Sequence, residues 1–190
     1  MTTPAGTRPP VGLRGMGVED CEAVGVVRVR GWQFAYPGLV PQPYLDAMDP
    51  ARDAAARRAQ FAEGGARTVH VVAEREGAVV GWACCGPHRA DAAHTGGAEL
   101  YAIYVLPGHL SSGVGRALLD EMIARATAAG HRTLRLWVLA GNTRARRFYE
   151  KAGFTFDGTE DTFRVAGSPV PEVRYARRLS DRDAAMPSAG

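Results

Sequence analysis

The stretch YVLPGHLSSGVGRALL, residues 104–119, joins a strand-like apolar run that stops at Pro107 to a helix-like pattern that starts after Gly113 and Gly115. Bare backbone at a helix mouth directly after a strand suits an anion, because the first amides of a helix lack partners and carry partial positive charge. Two familiar phosphate loops do not fit. Gly108 and Gly113 have P-loop spacing, but Val114 and Gly115 stand where that loop needs Lys and then Ser or Thr. A dinucleotide fingerprint needs a third small residue where Leu118 stands and usually sits in the first βα unit.

Outward from this stretch, the pattern alternates strands and helices. VGLRGM (11–16) reads as a short strand, and Glu19 and Asp20 open a helix carrying Val24, Val27, Trp32 and Phe34. PGLVP breaks it, and 44–61 is helical with a break at Pro50. TVHVVAERE and AVVGWACCG, separated by Gly77, read as a hairpin, and AELYAIYVL (98–106) is the next strand. A helix over 112–130 ends on Gly130, TLRLWVL is a strand, and TRARRFYEKAG is a short helix. FTFDG and VPEVRYARRL form a closing antiparallel pair. The two strands joined through the helix at 112–130 should be parallel and the others antiparallel, giving an α/β fold with helices on both faces of a mixed sheet.

The 190 residues, 46% of them hydrophobic, suit one domain, expected over 11–179 between disordered tails at 1–10 and 180–190. No run approaches a membrane span, and MTTPAGTRPP lacks the apolar core of a signal peptide, so a cytoplasmic protein is expected. Cys21, Cys84 and Cys85 make no disulfide framework, and without CxxC or HExxH no metal is expected. The net charge of +3 admits a polyanion partner, but Lys151 is the lone lysine among 23 basic residues. That bias resembles codon composition, so no specific nucleic acid and no membrane are expected as partners.

The third kind of phosphate loop fits. Val105-Leu-Pro107 followed by Leu110-Ser-Ser-Gly113-Val-Gly115-Arg116 resembles motif A of the GCN5-related N-acetyltransferases, the GNAT superfamily. Asn142, Ala145, Tyr149, Gly153 and Phe154 align with the family's motif B, in the right order and after a strand. The resemblance covers roughly residues 11–179. It implies a mostly antiparallel sheet of six to seven strands with one splayed parallel pair, and acetyl-CoA as co-substrate. One departure stands out: Leu110 replaces the family's Gln or Arg, and Ser111-Ser112 replaces its usual Gly-Arg pair. Backbone amides at Ser111, Ser112, Gly113, Val114 and Gly115 remain, with serine hydroxyls and Arg116 as replacement donors to the pyrophosphate.

Acetyl transfer needs a deprotonated amine, donors for the tetrahedral oxyanion and a proton for the departing thiolate. The resemblance implies Tyr149 as the proton donor, with a core aromatic as the plainer reading. It implies a bulged strand over 98–106 that frees the Ile103 amide for the oxyanion, with pantetheine pairing to backbone at Ile103, Tyr104 and Val105. Glu99 stands where some members keep a glutamate base. On a regular strand 99, 101, 103 and 105 share one face, so Glu99 is expected to look into the cleft with its pKa raised by partial burial. A solvated strand start, with a water chain as base, is the alternative. Asn142 is expected to cap the following helix, and in the family it also contacts the cofactor, as does the helix at Ala145. Arg144, Arg146 and Arg147 read as a solvated face or a contact to the 3′-phosphate.

The acceptor, a small-molecule or peptide amine, is expected near Trp32 and Tyr36 with Glu99. Phe34, Leu39, Tyr44, His88, Asp91 and His94 are further candidates, and a hydrophobic core is an equal reading for the aromatics. The function implied is an N-acetyltransferase acting on a primary amine. The alternative is a non-catalytic acyl-CoA-binding module, which the altered loop leaves open. Pairing through the exposed VPEVRYARRL strand offers a route to a homodimer.

Overall fold

The computed structural model describes residues 10–62, 68–88 and 97–184. Seven strands form one sheet in the order β1-β2-β3-β4-β5-β7-β6. In chain order they are β1 (Gly12–Gly15), β2 (Val69–Arg75), β3 (Ala78–Pro87), β4 (Gly97–Val105), β5 (Thr133–Leu139), β6 (Thr155–Val165) and β7 (Ser168–Arg178). The helices are α1 (Cys21–Ala35), α2 (Gln42–Asp46), α3 (Pro50–Ala62), α4 (Val114–Ala128), α5 (Thr143–Lys151) and α6 (Asp181–Ala184). Among the seven described strands, only β4 and β5 pair in parallel, as a crossover through α4 requires.

Burial explains which helix covers which face. Val24 and Val27 of α1 pack on Val72, Trp82 and Cys84 on one side of the sheet. Val114, Leu118, Leu119, Met122, Ile123 and Ala126 of α4 pack with α5 on Val71, Ala83 and Cys85 on the other. The α4 set recurs at helical spacing, and each fully buried leucine contributes about 1.5–3 kcal/mol.

The break expected at Pro50 is present: 44–61 falls in two helices, α2 and α3, with Pro50 at the start of the second. Other expectations change in detail. The closing hairpin is much longer than FTFDG suggested: β6 runs to Val165 and turns through Ala166 and Gly167, both at positive φ. Its solvent-facing TEDTFR segment shows no apolar alternation to betray a strand. The VPEVRYARRL strand is not an exposed edge, because β7 pairs with β5 on one side and β6 on the other. The sheet's open edges are β1 and β6. The tail expected at 1–10 falls, apart from Pro10, outside the described residues. So do 185–190, while 181–184 form α6, pinned by the Arg177–Asp183 ion pair.

Two irregularities position the site. The β4–β5 pairing runs only from Gly97–Thr133 to Leu100–Leu136, although both strands continue. Beyond that point they splay and leave a cleft between them. The β3–β4 register also shifts: Cys84 lies opposite Ala102 and Cys85 opposite Leu100, so Tyr101 is bulged out.

Candidate active site

The splay opens into a cleft of about 1340 Å³ bounded by α1, β4, the turn before α4, the end of β5 and α5. The bulge decides which side chains face it. Before Tyr101, Ala98 and Leu100 face α4; after it, Ile103 and Val105 do, while Ala102 and Tyr104 face α1. The phase has slipped by one residue, so 99, 101, 103 and 105 do not share a face as expected. Glu99 instead shares the α1 side with Tyr104. It is 2% exposed, lines the cleft and stands opposite Arg135 in β5.

The turn between β4 and α4 is held from three directions. Arg75 donates from Nη2 to the Ser112 carbonyl at 2.7 Å, the Ser112 hydroxyl donates to the His109 carbonyl at 2.6 Å, and Gly113 caps α4 at φ +93°. A side chain at Gly113 would be strained by that φ, although the space beside it is open. Ser111 adopts φ +56° without being glycine. Of the expected loop residues, Ser111, Gly113, Gly115 and Arg116 line the cleft. Ser112 and Val114 do not, and the Ser112 hydroxyl is spent on closing the turn. Arg116 reaches back along its own helix to Asp120 at 2.7 Å, an exposed ion pair of small worth.

Asn142 caps α5, its side chain accepting from the Ala145 amide at 3.1 Å. Arg146 is absorbed into packing, donating to the Tyr175 hydroxyl and the Ala140 carbonyl. Arg144, Arg147 and Lys151 of α5 line the cleft, and Arg144 Nη2 lies 3.4 Å from the Ser111 hydroxyl in the turn before α4. Tyr149 is 7% exposed between Phe148 and Phe154, with ring centroids 5.3 and 5.9 Å away. Its hydroxyl makes no hydrogen bond among the described residues, and the side chain borders the cleft.

On the α1 wall, Trp32 donates from its indole nitrogen to the Tyr104 hydroxyl at 2.9 Å, and the Tyr36 hydroxyl lies 3.5 Å from that of Tyr104. Gly31 makes this possible, because a Cβ there would come within 2.9 Å of the Tyr104 ring. Burial pushes the phenols of Tyr36, Tyr104 and Tyr149 above the usual tyrosine range, and the nearness of Tyr104 raises the other two further. All three stay protonated near neutrality, so they act as hydrogen-bond or proton donors and not as bases.

Every other expected site residue, namely Ile103, Tyr104, Val105, Ala145, Trp32 and Tyr36, lines the same cleft. Of the further acceptor candidates, Phe34 lines it, Leu39 and Tyr44 pack behind Trp32, and His88 is buried elsewhere. Asp91 and His94 lie outside the described residues. The Tyr104 hydroxyl, Arg28, Trp137, Phe163 and Glu172 were not among the expected site groups, and all border the cleft. An aromatic with a polar tip on a bulged strand was the available hint for Tyr104; the others meet the site only through long-range packing. Arg116, Arg144, Arg147 and Lys151 line the cleft from α4 and α5 and Arg28 from α1, while Glu99 and Glu172 are the carboxylates lining it among the described residues.

Residues 26–154 match the family model described as Acetyltransferase (GNAT) family. An uncharacterized N-acetyltransferase of Mycobacterium tuberculosis is 33% identical over 162 residues, covering 84% of this chain and 98% of that protein. Another from Bacillus subtilis, YuaI, is 30% identical over 163 residues, covering 86% and 90%. The PaiA N-acetyltransferase of Thermoplasma acidophilum, solved in complex with coenzyme A, superposes with a TM-score of 0.70 at 19% identity over 90% of this chain and 99% of that one. YncA of Salmonella typhimurium, a putative acetyltransferase solved with acetyl-CoA, gives 0.68 at 22% identity over 95% and 99%. These two likenesses show the fold.

Proposed function

This chain belongs to the GNAT acetyltransferase family, and from that premise we propose that it transfers the acetyl group of acetyl-CoA to a primary amine by direct attack through a tetrahedral intermediate. One observation carries the reading: the splay after Leu100–Leu136 brings unpaired β4 backbone, the bare mouth of α4 and the Tyr149 hydroxyl into a single cleft.

The residues fit the co-substrate. Gly113 leaves open space where a Cβ would crowd an anion, Arg144 brings positive charge to the turn at Ser111, and Arg147 and Lys151 line the same cleft. A pyrophosphate suits the first amides of α4, with Arg116 free to swing from its exposed partner. The β5-facing backbone of Ile103, Tyr104 and Val105 suits a pantetheine arm lying as an added strand. The amide of Ile103 suits the oxyanion, since a preorganised backbone donor needs no reorientation during attack. Tyr149, protonated and without another partner, gives its proton to the departing thiolate sulfur.

Glu99 is the proposed base. It sits on the α1 side of β4, where the acceptor would enter beside Trp32 and Tyr36, and accepts the amine's proton directly or through water. Asn142 keeps α5 capped and borders the cofactor end of the cleft.

Release of free thiol from acetyl-CoA, measured with and without a panel of primary amines, tests the reading. Amine-dependent release is expected. Stabilisation by acetyl-CoA with no release across the panel would favour the non-catalytic binding module instead.

A further inference from the structure

We propose that Arg28 forms a carboxylate subsite in the acceptor half of the cleft, so that the acceptor is a small amine that also carries a carboxylate, such as an amino acid. This rests on the acetyl-transfer reading for the reaction, but the subsite stands on its own geometry.

Arg28 of α1 lines the cleft and donates from Nη1 to Asp53 Oδ1 at 2.6 Å. The other oxygen of Asp53 takes Arg57 Nε at 2.9 Å, and the Arg57 guanidinium lies 4.0 Å from the centroid of Trp82. One carboxylate therefore serves two guanidiniums, and the trio keeps one net positive charge in a largely buried setting. Such a charge favours a counterion. Arg28 is its face toward the cleft, and the Nε and Nη2 donors of that residue have no partner among the described residues. Its guanidinium is held in place, 4.9 Å from the Trp32 ring centroid on one side and tied to Asp53 on the other.

The neighbouring wall offers donors. The Tyr104 oxygen already accepts the Trp32 indole N–H, which leaves its own proton to give, and the Tyr36 hydroxyl is beside it. The charge of Arg28 acts on both phenols. A guanidinium fork in a cleft that phenol hydroxyls also line suits a carboxylate better than an ammonium, which the fork's charge repels. One net positive charge matches a monoanion. Glu99 lies on the same side of β4 and complements the amine. Arg28 from α1, Tyr104 from β4 and Tyr149 from α5 line one cleft. A small zwitterion presents both charges to such a cleft, and neither a peptide amino group nor a diamine supplies the anion.

The test compares free amino acids with their own carboxamides, with diamines and with a short peptide, by thiol release from acetyl-CoA. The wild-type protein is expected to prefer the acid over its carboxamide in kcat/KM by at least about tenfold, and Arg28→Gln to bring that ratio close to one. Carboxamides, diamines or the peptide used as well as the acids by the wild-type protein would overturn the subsite without any variant. If no acceptor releases thiol and acetyl-CoA does not stabilise the protein, the acetyl-transfer reading fails separately. The subsite is then read from thermal stabilisation by amino acids: greater than by carboxamides and lost in Arg28→Gln supports it, and equal for both overturns it.

Discussion

The indole N–H of Trp32 and the hydroxyl of Tyr104 meet at 2.9 Å, tying α1 to β4 beside the proposed acceptor site. Trp32 is 7% exposed, so Tyr104→Phe strands a buried donor at a cost of about 1–3 kcal/mol. A fall in melting temperature of several degrees is expected, with KM for the amine rising more than KM for acetyl-CoA. An unchanged melting temperature and equal changes in both KM values would show that the bond neither stabilises the fold nor shapes the acceptor site.

Tyr149→Phe removes the proposed acid while keeping the ring between Phe148 and Phe154. Turnover is expected to fall by about 10²–10⁴, with stabilisation by acetyl-CoA preserved. The pH profile gives a second check. Burial raises the Tyr149 phenol above its ordinary value of 10.0, so the proton it donates is present below that pH and is lost only above it. Wild-type kcat/KM is expected to climb with pH as the amine deprotonates, with no descending limb below about pH 10. A descending limb near neutrality would assign the acid to another group.

Glu99→Gln keeps the size of a buried side chain and removes its ability to accept a proton. The expected loss is about 10²-fold at neutral pH and shrinks as pH approaches the pKa of the amine, where free base no longer has to be generated. The same loss at every pH would make Glu99 a structural carboxylate.

Ser111 holds a positive φ that glycine adopts without strain. Ser111→Gly is expected to stabilise the fold by about 1 kcal/mol and to leave acetyl-CoA affinity within a fewfold. Gly113→Ala, at φ +93°, is expected to destabilise by about 1–2 kcal/mol and to weaken acetyl-CoA binding. Thermal unfolding with and without the ligand reads both. A destabilising Ser111→Gly, or a Gly113→Ala that leaves both stability and binding unchanged, would mean that the turn adopts another conformation.

Much of this was legible in the chain because it is local. Pro107, Gly113 and the α4 periodicity mark the strand-turn-helix unit, and Asn142 caps α5 as its position implies. The bulge at Tyr101 was not legible, since it depends on the register against Cys84 and Cys85 in another strand. It reversed the facing of Ile103 and Val105 relative to Glu99. The length of β6 was hidden for a related reason: an edge strand facing solvent has no buried side to impose alternation. Tyr104 and Arg28 gain their places through partners far along the chain, Trp32 for one and Asp53 for the other.

On the acetyl-transfer reading, the mouth of α4 and the splayed strands receive acetyl-CoA. Thermal unfolding with acetyl-CoA, against ADP and ATP as controls, tests it most directly. At about 100 times the dissociation constant the ligand should add roughly 2.7 kcal/mol, a shift of several degrees that exceeds both controls. No shift, or one that ADP and ATP reproduce in full, would contradict the account: the turn at Leu110-Ser111-Ser112 would not hold the pyrophosphate of this co-substrate, and the transfer chemistry built on it would fall.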